Sequence, residues 1–265
     1  MSVEVYTKEY FLTDCEGFDR FLATKGQALS PRLKRVLSLA NIKPDSTILD
    51  IGCGRGDLTL HAGVKGSFAL GVDFSKNAIE LARESLKTWS QKNAALNNKV
   101  YFVEADCLQL EFRPQTFDFV FLSDVIEHLK KEDFEMLIAR VSRFLKKDGK
   151  IILHTSPNRI FKNYGLKLYN IVARLSKIKY NWHMEQYLPR GLQKEFHVNE
   201  QTIFTLKKIF REQGFALIKL WLEKNPHYIY HFFKDDKYVN RINRLYDLMP
   251  IKHLFFSDIY GIVGK

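Results

Sequence analysis

The 265-residue chain lacks most features of secreted, metal-clustered or membrane-spanning proteins. Its three cysteines, Cys15, Cys53 and Cys107, are scattered, odd in number and free of any CxxC pair. That argues against a disulfide frame and a cysteine zinc site, and for a reducing compartment. No apolar run approaches the roughly 20 residues a membrane-crossing helix needs. The opening Met1-Ser2-Val3-Glu4-Val5 carries no basic-then-apolar leader, so a soluble, cytoplasmic protein is expected. Internal repeats, low-complexity tracts and flexible linkers are also missing. A single domain over residues 1–265 is therefore expected, since α/β folds often run this long as one core with insertions.

Acidic residues are in deficit. Lys and Arg number 41 against 30 Asp and Glu, a formal charge of +11. Such a balance favours anionic partners: nucleic acid, a lipid surface or a negatively charged small molecule. Simple solubility explains it equally well. The 46% hydrophobic content is enough for a sizeable core.

What is present begins with Asp50-Ile51-Gly52-Cys53-Gly54-Arg55-Gly56, directly after Thr47-Ile48-Leu49. An apolar β-type run that breaks into alternating glycines and resumes at helical spacing reads as strand, tight loop and helix start. Glycine lets such a loop take left-handed angles and lets a ligand lie against the main chain. The helix behind it offers free N–H groups to an anionic group. A dinucleotide fingerprint would place its third glycine after two intervening residues. Here Gly56 follows after one, and Asp57 stands where that pattern wants glycine, which weakens the NAD reading.

From residue 47 strand and helix patterns alternate, the mark of a parallel sheet with right-handed crossovers. Further strands are expected at 67–73, 99–104, 117–122, 150–153, 215–222 and 257–263. They end in Asp73, in Asp106-Cys107, in Ser123-Asp124-Val125-Ile126-Glu127-His128 and in His154-Thr155-Ser156. All these polar groups fall on the carboxyl edge, where such sheets bind ligands. Asp73 there can accept from two ribose hydroxyls, or merely cap a helix.

Residues 1–46 precede the first strand. Tyr6, Tyr10, Phe11, Phe18 and Phe21 recur at spacings that suit helical faces, and Ser30-Pro31 starts a further helix. This segment reads as core or docking surface, or as a lid over the glycine loop. Residues 158–197 and 224–250 are aromatic and basic insertions. The apolar face of 166–178 suits a packed surface helix, an acceptor cap or a helix lying on an anionic membrane surface.

Taken together, ILDIGCGRG, GVDFS, VEADCLQL, FDFVFLSDVIEHL and LKKDGKIILHTSPN resemble the successive motifs of class I S-adenosylmethionine-dependent methyltransferases. The nearest likeness is the small-molecule type of ubiquinone and menaquinone biosynthesis. The resemblance spans roughly 45–157 in the expected order. It implies a Rossmann-like, seven-stranded, mostly parallel sheet with helices on both faces and an antiparallel last strand. S-adenosylmethionine is the implied cofactor, and methyl transfer to O, N or C of a small-molecule or lipid-like acceptor the implied activity. By the same resemblance Asp50, Gly52, Cys53, Gly54 and Gly56 would hold the methionine end. Asp73 would bind the ribose, Phe74 would flank the adenine and Asp106 with Cys107 would meet its edge. Ser123 and Val125 would lie beside the sulfonium. The family shares no universal catalytic residue.

A sulfonium methyl is already activated, so alignment and desolvation carry the transfer and no metal is called for. A hydroxyl acceptor would gain from a base, for which His128, His154, His183 and His197 are available. His154, at a strand end, is the best placed, and His128 more often supports its loop. RNA methylation is the alternative favoured by the charge and by aromatic–basic interleaving. Against it, the fourth strand is not followed by an Asn/Asp-Pro-Pro-aromatic run. A subunit that binds the cofactor without catalysis is the third reading.

Overall fold

The computed structural model describes residues 6–168, 197–224 and 252–265. Three short helices come first: α1 (Lys8–Thr13), α2 (Phe18–Thr24) and α3 (Pro31–Leu39). Then β1 (Thr47–Ile51), α4 (Asp57–Val64), β2 (Phe68–Asp73), α5 (Lys76–Ser90), β3 (Val100–Glu104) and β4 (Phe117–Ser123) follow. The chain continues through α6 (Lys131–Phe144), β5 (Leu145–Thr155), α7 (Ile203–Glu212), β6 (Leu217–Glu223), α8 (Lys252–Phe255) and β7 (Asp258–Gly264). The strands form one seven-stranded sheet in the order β3-β2-β1-β4-β5-β7-β6. Strands β1 to β5 pair in parallel, and β7 inserts antiparallel between β5 and β6. This is the Rossmann-like arrangement that the resemblance implied.

Period-two alternation decides which side chains meet which layer. Leu49 and Ile51 of β1, Val120 and Leu122 of β4, and Ile151 and Leu153 of β5 join the apolar side of α6 and α7. The intervening Ile48, Phe121 and Ile152 pack with α3 and α4 on the opposite face. Leu60, Ile79, Trp89 and Phe102 close the core beside α5.

Local signals set the helix starts. Ser30 caps α3 by accepting from the Leu33 N–H, with Pro31 at its first helical position. Ser75 caps α5, and Thr202 with Thr205 forms a reciprocal box at α7. Helix α4, like α2 behind Gly17, starts behind a left-handed glycine, Gly56, with no side-chain cap. Its first turn points at the carboxyl edge of the sheet.

The fifth strand is longer than its apolar run, because Leu145 pairs with Phe117 before the register slips and resumes at Lys150–Phe119. The strand expected at 150–153 is thus the second half of a longer β5 that also takes in residues 145–149. Among the described residues no helix is long and apolar enough to cross a membrane. The helix expected at 166–178 is described only to residue 168, and most of the 224–250 insertion and His183 lie outside the described residues.

Candidate active site at the carboxyl edge of the sheet

The glycine loop leaves β1 in a tight path fixed by its own backbone. The N–H groups of Gly52 and Cys53 both donate to the Val72 carbonyl, at 2.8 and 3.0 Å, and Gly56 N–H donates to the Cys53 carbonyl at 2.9 Å. Gly52, Gly54 and Gly56 all have positive φ, at 68°, 52° and 82°. At Gly52 the need is also steric, since a Cβ there would lie 2.6 Å from Val125 Cγ2. Val125, from the turn after β4, therefore packs directly on the loop. Gly52 is exposed and Gly54 half-buried, so main chain faces the edge of the sheet at these points.

Asp73 ends β2 beside this loop. Its Oδ2 accepts from Gly54 N–H and its Oδ1 from Ser75 N–H, both at 2.9 Å. Burial raises its pKa, against the pull of those backbone N–H groups. Asp50 lies deeper, where burial pushes its carboxyl up to about 7 despite the Thr59 hydroxyl that donates to it at 2.6 Å. Cys53 is buried, and burial raises its thiol as well. Along the edge, Asp106 is exposed and accepts from Leu108 N–H at 2.9 Å. Cys107 next to it is half-buried, with its thiol pushed up to about 12 by burial and the neighbouring Asp106.

The N-terminal segment lies across this edge. The Tyr6 ring stands edge-on to Phe74 at 5.0 Å and to His128 at 6.4 Å. Its carbonyl accepts from Ser75 Oγ and Asn77 Nδ2, at 3.0 and 3.1 Å. Tyr6, Phe11, Ala78, Leu81 and Phe74 make one apolar cluster over the glycine loop and the start of α5.

Beyond β4 sits an ionic chain, buried at His154 and Asp258 and half-buried at Asp124 and Arg32. The Asp124 carboxylate takes Arg32 Nη1 at 2.6 Å on one oxygen and His154 Nδ1 at 2.7 Å on the other. Arg32 Nη2 also lies 2.9 Å from Glu16. On its far side His154 Nε2 lies 3.4 Å from Asp258 Oδ2, an ion-pair distance. Ser123 Oγ points to Asp124 at 3.3 Å. Burial alone would lower the His154 pKa, but Asp124 and Asp258 together raise it to about 9. Burial would likewise raise both carboxyls; Arg32 and His154 hold Asp124 low, and His154 holds Asp258 low. The nearby Glu127 is pushed up by burial and by the Asp124 charge.

The two histidines expected as catalytic candidates therefore differ. His154, favoured by its strand-end position, is wholly buried, and both of its ring nitrogens face carboxylates. Charged at neutral pH, it has no lone pair with which to take a proton from an acceptor. His128 is half-buried and stands beside Tyr6 and His197. Sequence reasoning gave no role to Arg32, Arg55 or Glu127, which join the site through partners far away in the chain.

The edge thus gathers a paired acid beside exposed loop backbone, a second acid further along, and an aromatic flank between them. Residues 48–149 match the methyltransferase domain family. Phosphoethanolamine N-methyltransferase 2 of Caenorhabditis elegans is 26% identical over 211 residues, 72% of this chain and 46% of that protein. Demethylmenaquinone methyltransferase of Staphylococcus saprophyticus is 25% identical over 201 residues, 71% of this chain and 77% of that one. The chain thus spans less than half the length of the nematode protein. Among solved structures, Haemonchus contortus phosphoethanolamine N-methyltransferase 2 in complex with S-adenosyl-L-methionine superposes with a TM-score of 0.59. That match has 19% identity and covers 99% of this chain and 56% of that one.

Fold, motif order and domain match define an α/β domain of the nucleotide-binding type. Residues 48–149 carry a methyltransferase domain of the class I S-adenosylmethionine-dependent type, whose cofactor is S-adenosylmethionine.

Proposed function

We propose that the protein transfers a methyl group from S-adenosylmethionine to an O, N or C atom of a small-molecule or lipid-like acceptor. The observation that carries this is the junction of the Gly52–Gly54 backbone with the Asp73 carboxylate, to which Gly54 N–H donates at 2.9 Å. A carboxylate has about four lone-pair sites. With two used by Gly54 and Ser75, Asp73 retains capacity for two ribose hydroxyls. The exposed Gly52 main chain, with Gly54 and the α4 start, takes the aminoacyl end, while Asp50 and Cys53 support the loop from beneath. Phe74 flanks the adenine, Asp106 and Cys107 meet its edge, and Ser123 and Val125 border the reacting centre.

S-adenosylmethionine supplies an activated sulfonium methyl for in-line displacement. The chain's own contribution is alignment and exclusion of water. Residues 6–24 act as a lid, with Tyr6 closing the gap between Phe74 and His128. His128 is the residue available to hold or accept a proton from a hydroxyl acceptor, and His154 fixes the Asp124 turn. The named activities of the relatives favour a small-molecule acceptor over nucleic acid.

The test is transfer of label from methyl-labelled S-adenosylmethionine in a cell extract, followed by separation into lipid, small-molecule, nucleic-acid and protein fractions. Label in the small-molecule or lipid fraction is expected. Label confined to RNA, or tight binding of S-adenosylhomocysteine with no transfer to any fraction, overturns the reading.

A further inference from the structure

Three side chains beside this edge form a group of a different kind. Glu127 and His128 occupy the short helical turn Ile126–His128 after β4, and His197 comes to them from a distant segment. One ligand atom from each lies within 4.8 Å of the others. We infer that Glu127, His128 and His197 bind one divalent transition-metal cation of the Zn²⁺, Co²⁺ or Fe²⁺ kind.

The donor set points to that class. Two imidazoles and one carboxylate suit borderline transition cations, whereas Mg²⁺ and Ca²⁺ prefer oxygen throughout. With bonds of about 2.0–2.2 Å, tetrahedral donors stand about 3.3–3.5 Å apart. The three groups therefore need to draw together by up to about 1.5 Å, which side-chain rotation has to supply. Three protein ligands leave at least one position open.

The site is built rather than accidental. Asn199 N–H donates to the Glu127 carbonyl at 3.1 Å, and Arg159 N–H donates to the Gln201 carbonyl at 2.9 Å. Lys162 pairs with Glu200. These contacts hold the 197–201 segment against the turn, with the His197 and His128 rings edge-to-face at 4.8 Å. His197 Nδ1 is buried with no hydrogen-bond partner among the described residues. Thr155 Oγ1 donates to Glu127 Oε2 at 2.8 Å, the kind of contact that orients a ligating carboxylate. Asp124, three residues before Glu127, is no ligand, because both of its oxygens are engaged by Arg32 and His154. On the reading of the preceding subsection, the open position faces the acceptor; with the cation bound, the His128 lone pair is on the metal, and the cation would replace His128 in acidifying an acceptor hydroxyl or would fix its oxygen.

The test is a Co²⁺ titration of chelator-treated full-length protein, read by visible d–d absorption and by calorimetry. One equivalent is expected to bind with an imidazole-ligand spectrum. His197→Ala and Glu127→Gln are each expected to weaken it at least tenfold, while His61→Gln, on α4, leaves it unchanged. Circular dichroism establishes folding of each variant; should His197→Ala unfold, His197→Gln takes its place. Absence of a saturable Co²⁺ spectrum, or equal affinity in wild type and both ligand variants, overturns the site. S-adenosylhomocysteine affinity is measured on the same samples. Cobalt binding without S-adenosylhomocysteine binding rejects the methyltransferase reading and leaves the metal site standing, and the reverse result rejects the site alone.

Discussion

The guanidinium of Arg55 donates to the Phe11 carbonyl at 2.6 Å and to the Glu16 carbonyl at 3.0 Å. It also lies 3.3 Å from Asp57 and 4.7 Å above the Phe21 ring. Arg55 sits in the middle of the glycine loop, yet none of these partners is a ligand. The loop has two sides: Gly52 and Gly54 present backbone to the edge, and Arg55 turns inward to strap the N-terminal helices to the same turn. The position of the N-terminal segment and the shape of the loop are thereby linked through one side chain.

Replacing Arg55 by Met leaves the two carbonyls without a donor and the buried Asp57 without its cation. Loss of one partner of a buried charge pair costs about 3–5 kcal/mol. Exposure of the N-terminal segment to solvent offsets part of this. Arg55→Met is expected to lower stability by about 2–4 kcal/mol in chemical denaturation. Cleavage between residues 6 and 30 should rise sharply in limited proteolysis. A cleavage pattern identical to wild type would refute the strap.

The His154 pair gives a pH signature. Its pKa is about 9 in the folded chain against about 6.5 unfolded. A folded value raised above the unfolded one means that the native state holds the proton more tightly. The stabilisation is therefore complete below pH about 6.5 and fades as pH rises through about 9, with a total of roughly 3 kcal/mol. Thermal melts should show Tm falling across that window, and His154→Gln should remove this slope while lowering Tm at pH 6. A wild-type Tm flat from pH 6.5 to 9 would contradict the assignment.

Periodicity exposed the strands because both faces of the central ones are buried, which leaves apolar runs that end abruptly in acids. The Gly52-Gly54-Gly56 spacing and the strand-end position of Asp73 were readable for the same reason: each is a local consequence of the chain turning at one edge. The Asp124 network was not readable. Arg32 arrives from α3 and Asp258 from the antiparallel β7, so no local pattern in 123–128 announces the charges that meet there. His154 looked like an accessible base for this reason, since its strand end marks the edge but not what covers it. In the sequence His197 stands alone, and only the folded chain brings it to Glu127 and His128.

Gly56 separates the steric from the chemical demands of the loop. Its φ is +82°, and a Cβ there would stand 2.5 Å from Phe102 Cζ and 2.7 Å from Cε1. A ring in the core cannot swing aside as a flexible surface chain would. Left-handed backbone costs a non-glycine residue roughly 1–2 kcal/mol and overpacking about 1–3 kcal/mol. Gly56→Ala is expected to lose about 2–4 kcal/mol by urea denaturation. Gly214→Ala, with φ +79° but no atom within 4 Å of its Cβ, should lose only the backbone part. Equal losses at the two positions would show that the Phe102 contact relaxes.

Asp73 is the residue on which the cofactor assignment turns. Each of its oxygens already accepts one backbone N–H, so an amide nitrogen on either side would face a donor. Asp73→Asn thus weakens the loop as well as the ribose contact, and Asp73→Ala removes both. Hydrogen bonds to a charged group contribute about 1.5–3 kcal/mol each. Loss of two ribose contacts corresponds to roughly 10²–10⁴ in affinity. Calorimetry with S-adenosylhomocysteine should find at least a hundredfold loss in Asp73→Ala. A smaller loss, about tenfold, is expected in Asp106→Ala, where on the proposed reading one exposed carboxylate would meet the adenine edge. If Asp73→Ala stays folded and binds within threefold of wild type, the ribose lies elsewhere and the edge between Gly54 and Asp106 is not the cofactor site.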